Sequence, residues 1–221
     1  MFRAEKFFHN KFNHLLVVLI TIFLALPFAG KENFDFPILS FVFFSALLAV
    51  LKSFIKKNNV FFCYIGVALC AFIFDVLQRS ELFPNLNTPH LISSMVLHAV
   101  FLSMVIVLLL KELFTTREVT ADAIKGGVCI YLLLGILWGF FYAIINQFDA
   151  GAFTKELLNG NEVFYFSFST LTTVGYGDIT PVNAVAKIFA NLEAVAGQLY
   201  VGVFIARLVG LYIVKELKHE N

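Results

Sequence analysis

Apolar positions along this chain gather into six runs separated by short polar stretches, at roughly 15–29, 37–55, 60–78, 90–110, 126–148 and 185–214. A helix needs about 20 such residues to cross the ~30 Å hydrocarbon core of a bilayer. The last three runs meet that length. The first three fall short in their uncharged cores, and they reach across only if flanking side chains such as Lys52 send their charged ends to the interface. The pattern predicts an all-α membrane protein with six transmembrane helices. Between the fifth and sixth runs lies a different pattern. A polar stretch from Asp149 to Gly160 leads into Asn161 and Glu162, an N-cap and an acidic first turn for a short helix over about 162–172. A helix and loop that enter the membrane and return are tolerated only where protein or a water-filled cavity surrounds them.

Composition agrees with a membrane protein. Of 221 residues, 60% are hydrophobic, 14% are charged and 28 are Phe, far from the usual soluble domain. Net charge is only +1, so no basic surface points to nucleic acid as a partner; membrane lipids are the expected surroundings. Cys63, Cys70 and Cys129 all lie in apolar runs with no Cys-x-x-Cys or Cys/His pattern, and read as small buried apolar side chains. The cationic residues set the orientation. Arg3, Lys6, Lys11, Lys52, Lys56, Lys57, Lys111, Arg117, Lys125, Lys215 and Lys218 fall on one side of the six runs, against Lys31, Arg79, Lys155 and Lys187 on the other. Positive-inside bias then makes both termini cytoplasmic. A signal peptide ending near Pro27 to Gly30 is an alternative for the first run that leaves the remaining topology unchanged.

The most specific chemistry lies in Thr170 to Asp178, Thr-Leu-Thr-Thr-Val-Gly-Tyr-Gly-Asp. The TVGYG within it is the pattern of a loop whose backbone carbonyls replace the hydration shell of a potassium ion. Gly175 and Gly177 supply positions that tolerate positive φ, so that carbonyls can face one way, and Thr173 adds a side-chain oxygen at the inner end. From about Gly126 to Lys215 the chain resembles the pore domain of tetrameric potassium channels. The resemblance implies a homotetramer closed by a head-to-tail ring interface. It implies a selectivity filter of Thr173, Val174, Gly175, Tyr176 and Gly177, with potassium held at Thr173 to Tyr176 as the permeant ion. No catalytic residue, enzymatic reaction or cofactor is expected. Asp178 is expected behind the filter, supported by Tyr165, Ser169 and Thr172, where many members carry Trp and Glu at the positions of Tyr165 and Ser169. For Tyr165 an interfacial aromatic role stays open.

On the sixth run the resemblance implies a hinge at Gly197, with close packing against the pore helix as the alternative, and a cavity lined by Gln198, Val201 and Ile205. Gly135 and Gly139 have the spacing that lets membrane helices approach closely. Glu193 is expected ~12 Å deep, with Ser167 or Thr170 as partners. It reads either as a satisfied structural group or as one that couples its protonation to the filter. Arg207 is expected to snorkel or to pair with an acidic group.

The expected organisation is a four-helix N-terminal membrane domain at 1–110, a cytoplasmic linker helix at 111–125 with Thr115 and Glu118 as a capping box, a pore domain at 126–215 and a short tail at 216–221. Six helices match the plan of voltage-gated channels, yet Leu91 to Leu110 holds no Lys or Arg, only His98. Steep voltage dependence then has no source. Asp75 can pair with Arg79 or with His98, the latter as a proton-sensitive cluster. Few residues follow the sixth run, so no sensor domain is expected there, and a separate regulatory subunit remains open. The expected function is passive, potassium-selective conduction across a plasma membrane, a bacterial inner membrane by its size. A non-selective cation channel, a potassium transporter subunit and a non-conducting sensor or assembly subunit are the rivals, although no second filter repeat occurs.

Overall fold

The computed structural model describes residues 11–25, 36–55, 57–79, 87–115, 119–155 and 160–219. They form α1 (Lys11–Ala25), α2 (Phe36–Phe54), α3 (Asn58–Arg79), α4 (Asn87–Thr115), α5 (Ala121–Phe148), α6 (Gly160–Leu171) and α7 (Ala184–His219). Among the described residues no strand forms, only an isolated antiparallel bridge between Phe153 and Pro181. Four helices, α3, α4, α5 and α7, are long and apolar enough to cross a membrane. The described apolar parts of α1 and α2 are shorter, and these come from two of the runs whose uncharged cores were already short.

Burial follows helical periodicity. α1 buries Phe12, Leu15, Leu19 and Ile22, and α4 buries Ser94, His98, Phe101, Val105, Leu109 and Leu113, each a stripe at spacings of three and four. These stripes meet Leu47 and Leu51 of α2, Ala68 and Ala71 of α3, and Ile130 and Leu133 of α5 in one continuous core. The core therefore crosses the expected boundary between the N-terminal helices and the pore domain. α1 is also tied to the start of α5 by polar contacts: the Phe12 amide donates to Asp122 Oδ1 (3.3 Å) and Lys125 Nζ donates to Asn13 Oδ1 (2.5 Å).

Three expectations change. The linker at 111–125 is not a helix of its own: residues 111–115 continue α4, and α5 begins at Ala121. The cap of α5 is Thr120, whose hydroxyl accepts from the Ala123 amide (3.1 Å), while the Thr115 hydroxyl bonds back to the Lys111 carbonyl. Glu118, the other half of the expected box, lies outside the described residues. Only Cys129 is buried; Cys63 and Cys70 are exposed on α3, whose outer face is as apolar as its inner one. Asn161 falls within the first turn of α6 and does not cap it, because that helix already starts at Gly160.

Candidate functional site

α5, α6 and α7 build a hairpin that holds the 172–183 loop. Glycines on α5 let α6 come close. A Cβ at Gly135 would sit 2.5 Å from the Phe168 ring, and one at Gly139 would sit 2.5 Å from that of Phe164. The outer end is tied down by polar groups. The Asp149 carboxylate accepts from the Gly151 amide (3.0 Å) and from Asn183 Nδ2 (2.7 Å), and Asn183 Oδ1 in turn accepts from the Ala186 amide (2.7 Å), starting α7. Lys155 and Glu162 form an ion pair at the entry to α6. The Glu162 carboxylate, hydrogen-bonded to Lys155, raises that ammonium's pKa above its ordinary value.

The loop backbone alternates in hand. Thr173, Gly175 and Gly177 have φ of 60°, 56° and 80°, and Thr173 is the one non-glycine with positive φ among the described residues. Alternation of this kind turns successive peptide units so that their carbonyls face one way. The amides are drawn to α6: Thr173 N–H donates to the Thr170 carbonyl (3.0 Å), Gly175 N–H to the Ser169 carbonyl (3.2 Å) and Tyr176 N–H to Ser169 Oγ (3.4 Å). Among the described residues, none of the carbonyls of Thr173 to Gly177 accepts a backbone hydrogen bond from outside a helix. In the single chain the segment is open, with Tyr176 70% exposed. What these residues offer chemically is a row of unclaimed carbonyl oxygens.

Tyr165 and Asp178 meet as expected. The phenol donates to Asp178 Oδ1 (3.1 Å), and its ring stacks on Tyr176 with centroids 5.9 Å apart and planes 7° apart. Ser169 acts elsewhere. Instead of reaching Asp178 it holds the loop amides, since its position one turn beyond Tyr165 lies under Gly175 and Tyr176. Thr172 bonds back to the Phe168 carbonyl (2.6 Å) within its own helix end. Gln198 Nε2 donates to Thr173 Oγ1 (3.3 Å), and Val201 and Ile205 continue its exposed row down α7. At Gly197 the helix is unbroken and the contact is close: a Cβ would lie 2.4 Å from the Leu171 carbonyl oxygen.

Behind the loop, Glu193 is completely buried. Ser167 Oγ lies 2.5 Å from its Oε1, as expected, but Tyr142 of α5, 2.5 Å from Oε2, was not legible from the sequence. Thr170 does not contact it through any hydrogen bond described. Arg207 sits over the Phe114 ring at 5.0 Å, joining the ends of α7 and α4. His98 Nε2 is 3.3 Å from Asp75 Oδ2, the Ser94 hydroxyl donates to Asp75 Oδ1 (2.7 Å), and the His98 ring stacks on Phe140 of α5. The expected Asp75–Arg79 pair rests on an Arg79 side chain outside the described residues.

Residues 128–213 match the family described as "Ion channel". Rice two pore potassium channel a is 32% identical over 48% of this chain, and two pore potassium channel b of the same plant is 34% identical over 48%. Over its matched part the chain is similar to members of the potassium-channel superfamily. The voltage-gated potassium channel Kch of Escherichia coli is another similar member of this superfamily, 29% identical over 43% of the chain. The chain spans 29% of the length of each rice channel and 22% of Kch. No solved structure matches it significantly. The ion-channel match at 128–213 and the four long apolar helices make it a multi-pass membrane protein.

Proposed function

We propose that four copies of this chain assemble into a potassium-selective pore, each contributing one filter loop from Thr173 to Gly177 and six membrane helices, with both termini cytoplasmic. The alternating backbone at Thr173, Gly175 and Gly177 carries this reading, because it leaves a row of carbonyls unclaimed while the amides of Thr173, Gly175 and Tyr176 are held by α6. A single chain cannot surround an ion. The open faces of Val174 and Tyr176, and the exposed apolar row Val185, Ile188, Leu192, Val195 and Leu199 on α7, supply what neighbouring copies would bury. Native mass spectrometry of the detergent-solubilised protein together with potassium flux into vesicles tests the proposal. Four chains per particle and flux blocked by removing the gradient are expected; a stable monomer without flux contradicts it.

Support for the filter comes from α6. Tyr165→Phe keeps the ring stacked on Tyr176 and removes the bond to Asp178, so selectivity is expected to persist while current decays faster under sustained opening. At an exposed site such as this one the bond is screened by solvent, so its loss is expected to show in the decay of current and not in ion selection. Unchanged decay in patch recordings would mean that the bond does not hold the filter.

Activation is expected to be shallow in voltage. Moving one elementary charge through the field supplies ~2.3 kcal/mol per 100 mV, and α4 has no Lys or Arg between Leu91 and Leu110. A conductance–voltage curve whose steepness requires several charges per channel would refute this.

A further inference from the structure

We infer that Glu193 is a protonated carboxylic acid, a buried proton-binding site between α5, α6 and α7 immediately behind the proposed filter. The inference comes from counting hydrogens. Three oxygen–oxygen contacts converge there: Tyr142 Oη to Glu193 Oε2 at 2.5 Å, Ser167 Oγ to Glu193 Oε1 at 2.5 Å, and Ser167 Oγ to the Gly135 carbonyl oxygen at 2.7 Å. Contacts this short each need a proton between the two oxygens. The Gly135 carbonyl brings none. Tyr142 and Ser167 bring one hydroxyl proton each, which leaves one contact without a hydrogen. Only the carboxyl can carry the third.

With Glu193 as the acid every contact is satisfied in one direction. The Tyr142 hydroxyl donates to Oε2, the Glu193 acid hydrogen on Oε1 is donated to Ser167 Oγ, and the Ser167 hydroxyl is donated to the Gly135 carbonyl. With Glu193 ionised, Ser167 has a single hydrogen for two acceptors and must leave one oxygen facing another. The surroundings favour the same state. Glu193 is 0% exposed, and no cation is among its described partners. The titratable groups facing it are Tyr142 and, further off, Tyr131, both from α5; α6 presents the Ser167 hydroxyl. A carboxylic acid kept neutral in a dry site so that it can donate a hydrogen bond is an established chemical device.

Glu193 is thereby a positioning residue. Ser167 lies one turn before Leu171, where α6 ends, and Gly197, one turn after Glu193, abuts the Leu171 carbonyl. Loss of the proton would break one of the Ser167 contacts and release the helix that carries the filter. This regulatory consequence rests on the channel reading above; the protonation itself does not.

Infrared spectroscopy of the full-length protein in lipid vesicles tests both parts. The parent is expected to show the carbonyl stretch of a protonated carboxylic acid at neutral pH, absent from Glu193→Gln, retained in Asp75→Asn and lost on raising the pH. Identical spectra for the parent and Glu193→Gln would overturn the inference. Should Glu193→Gln not assemble, Ser167→Ala answers instead: the acid loses its acceptor, its carbonyl band is expected to move to higher frequency, and an unmoved band overturns the assignment. In parallel, potassium flux through the parent is expected to fall with the alkaline loss of the band, whereas the Gln variant, which donates to Ser167 and accepts from Tyr142 at any pH, keeps a flat profile. Flux in the parent that ignores loss of the band overturns the regulatory consequence. A band as expected with no flux at any pH overturns the channel reading and leaves the protonation standing.

Discussion

Gly177→Ala is expected to abolish potassium-selective current. At φ 80° the residue lies where L side chains are strained, and the same holds for Gly175 at 56°. Forcing a non-glycine residue into left-handed backbone costs about 1–2 kcal/mol. In a ring of four the strain repeats in every subunit, ~4–8 kcal/mol per pore if the residue stays in place, and none of the described amide bonds from the loop to Ser169 and Thr170 is donated by Gly177 itself. The backbone would relax by rotating that peptide unit, removing a carbonyl from the row. Recordings in bilayers with potassium on one side and sodium on the other read the outcome directly: a reversal potential that collapses toward zero, or no current. A variant as selective as the parent would mean that this backbone conformation is not what selects the ion.

The second large effect is expected at Gly197. Its missing Cβ is what lets α7 touch the end of α6, since an added carbon would stand 2.4 Å from the Leu171 carbonyl oxygen and 2.9 Å from Leu171 Cδ1. The first of these is backbone and cannot swing aside as a ring can. Overpacking of this kind typically costs about 1–3 kcal/mol, and here the strain bears on the residue two positions before Thr173. Gly197→Ala is therefore expected to lower the thermal stability of the assembled protein and to reduce conductance. The control is Gly202→Ala, on the same helix, where an added Cβ meets nothing within 4 Å in the chain. A hinge at Gly197 gives a different result: an alanine that leaves the assembly as stable as the parent and changes only the rates of opening and closing.

Much of this site was legible because its signals are local. TVGYG occupies five consecutive residues, so the sequence contains the alternation of small and large residues that the backbone then adopts. Tyr165 and Asp178 come from one short helix and its loop, and the Glu193–Ser167 contact follows from an acid that membrane depth forces to find a hydroxyl. Tyr142 was hidden for the opposite reason. It lies 51 residues from Glu193 on a helix rich in aromatic residues, and nothing in an apolar run marks which phenol has a buried acceptor. Thr115 and Glu118 have capping-box spacing, yet the apolar run of α4 continues through Thr115 and Thr120 caps α5. Cys63 and Cys70 show a limit of hydropathy itself. In a membrane helix the outward face is as apolar as the core, so an apolar run predicts a span but not which side of it is buried.

The N-terminal helices bear on α6 and its loop through packing as well as through position. His98 of α4 stacks on Phe140, whose ring meets Phe164 of α6 edge-on at 5.9 Å, and Phe23 of α1 meets Phe168 at 5.1 Å. α6 is thus held from outside by rings and from inside by the Glu193 contacts. Such a scaffold would hold the proposed filter loop in place from both sides.

The central claim is that the Thr173–Gly177 backbone selects potassium. The most direct measurement is the reversal potential of the purified, reconstituted protein with potassium on one side of the membrane and sodium on the other. A value close to the potassium equilibrium potential is expected; a current that reverses near zero would contradict it.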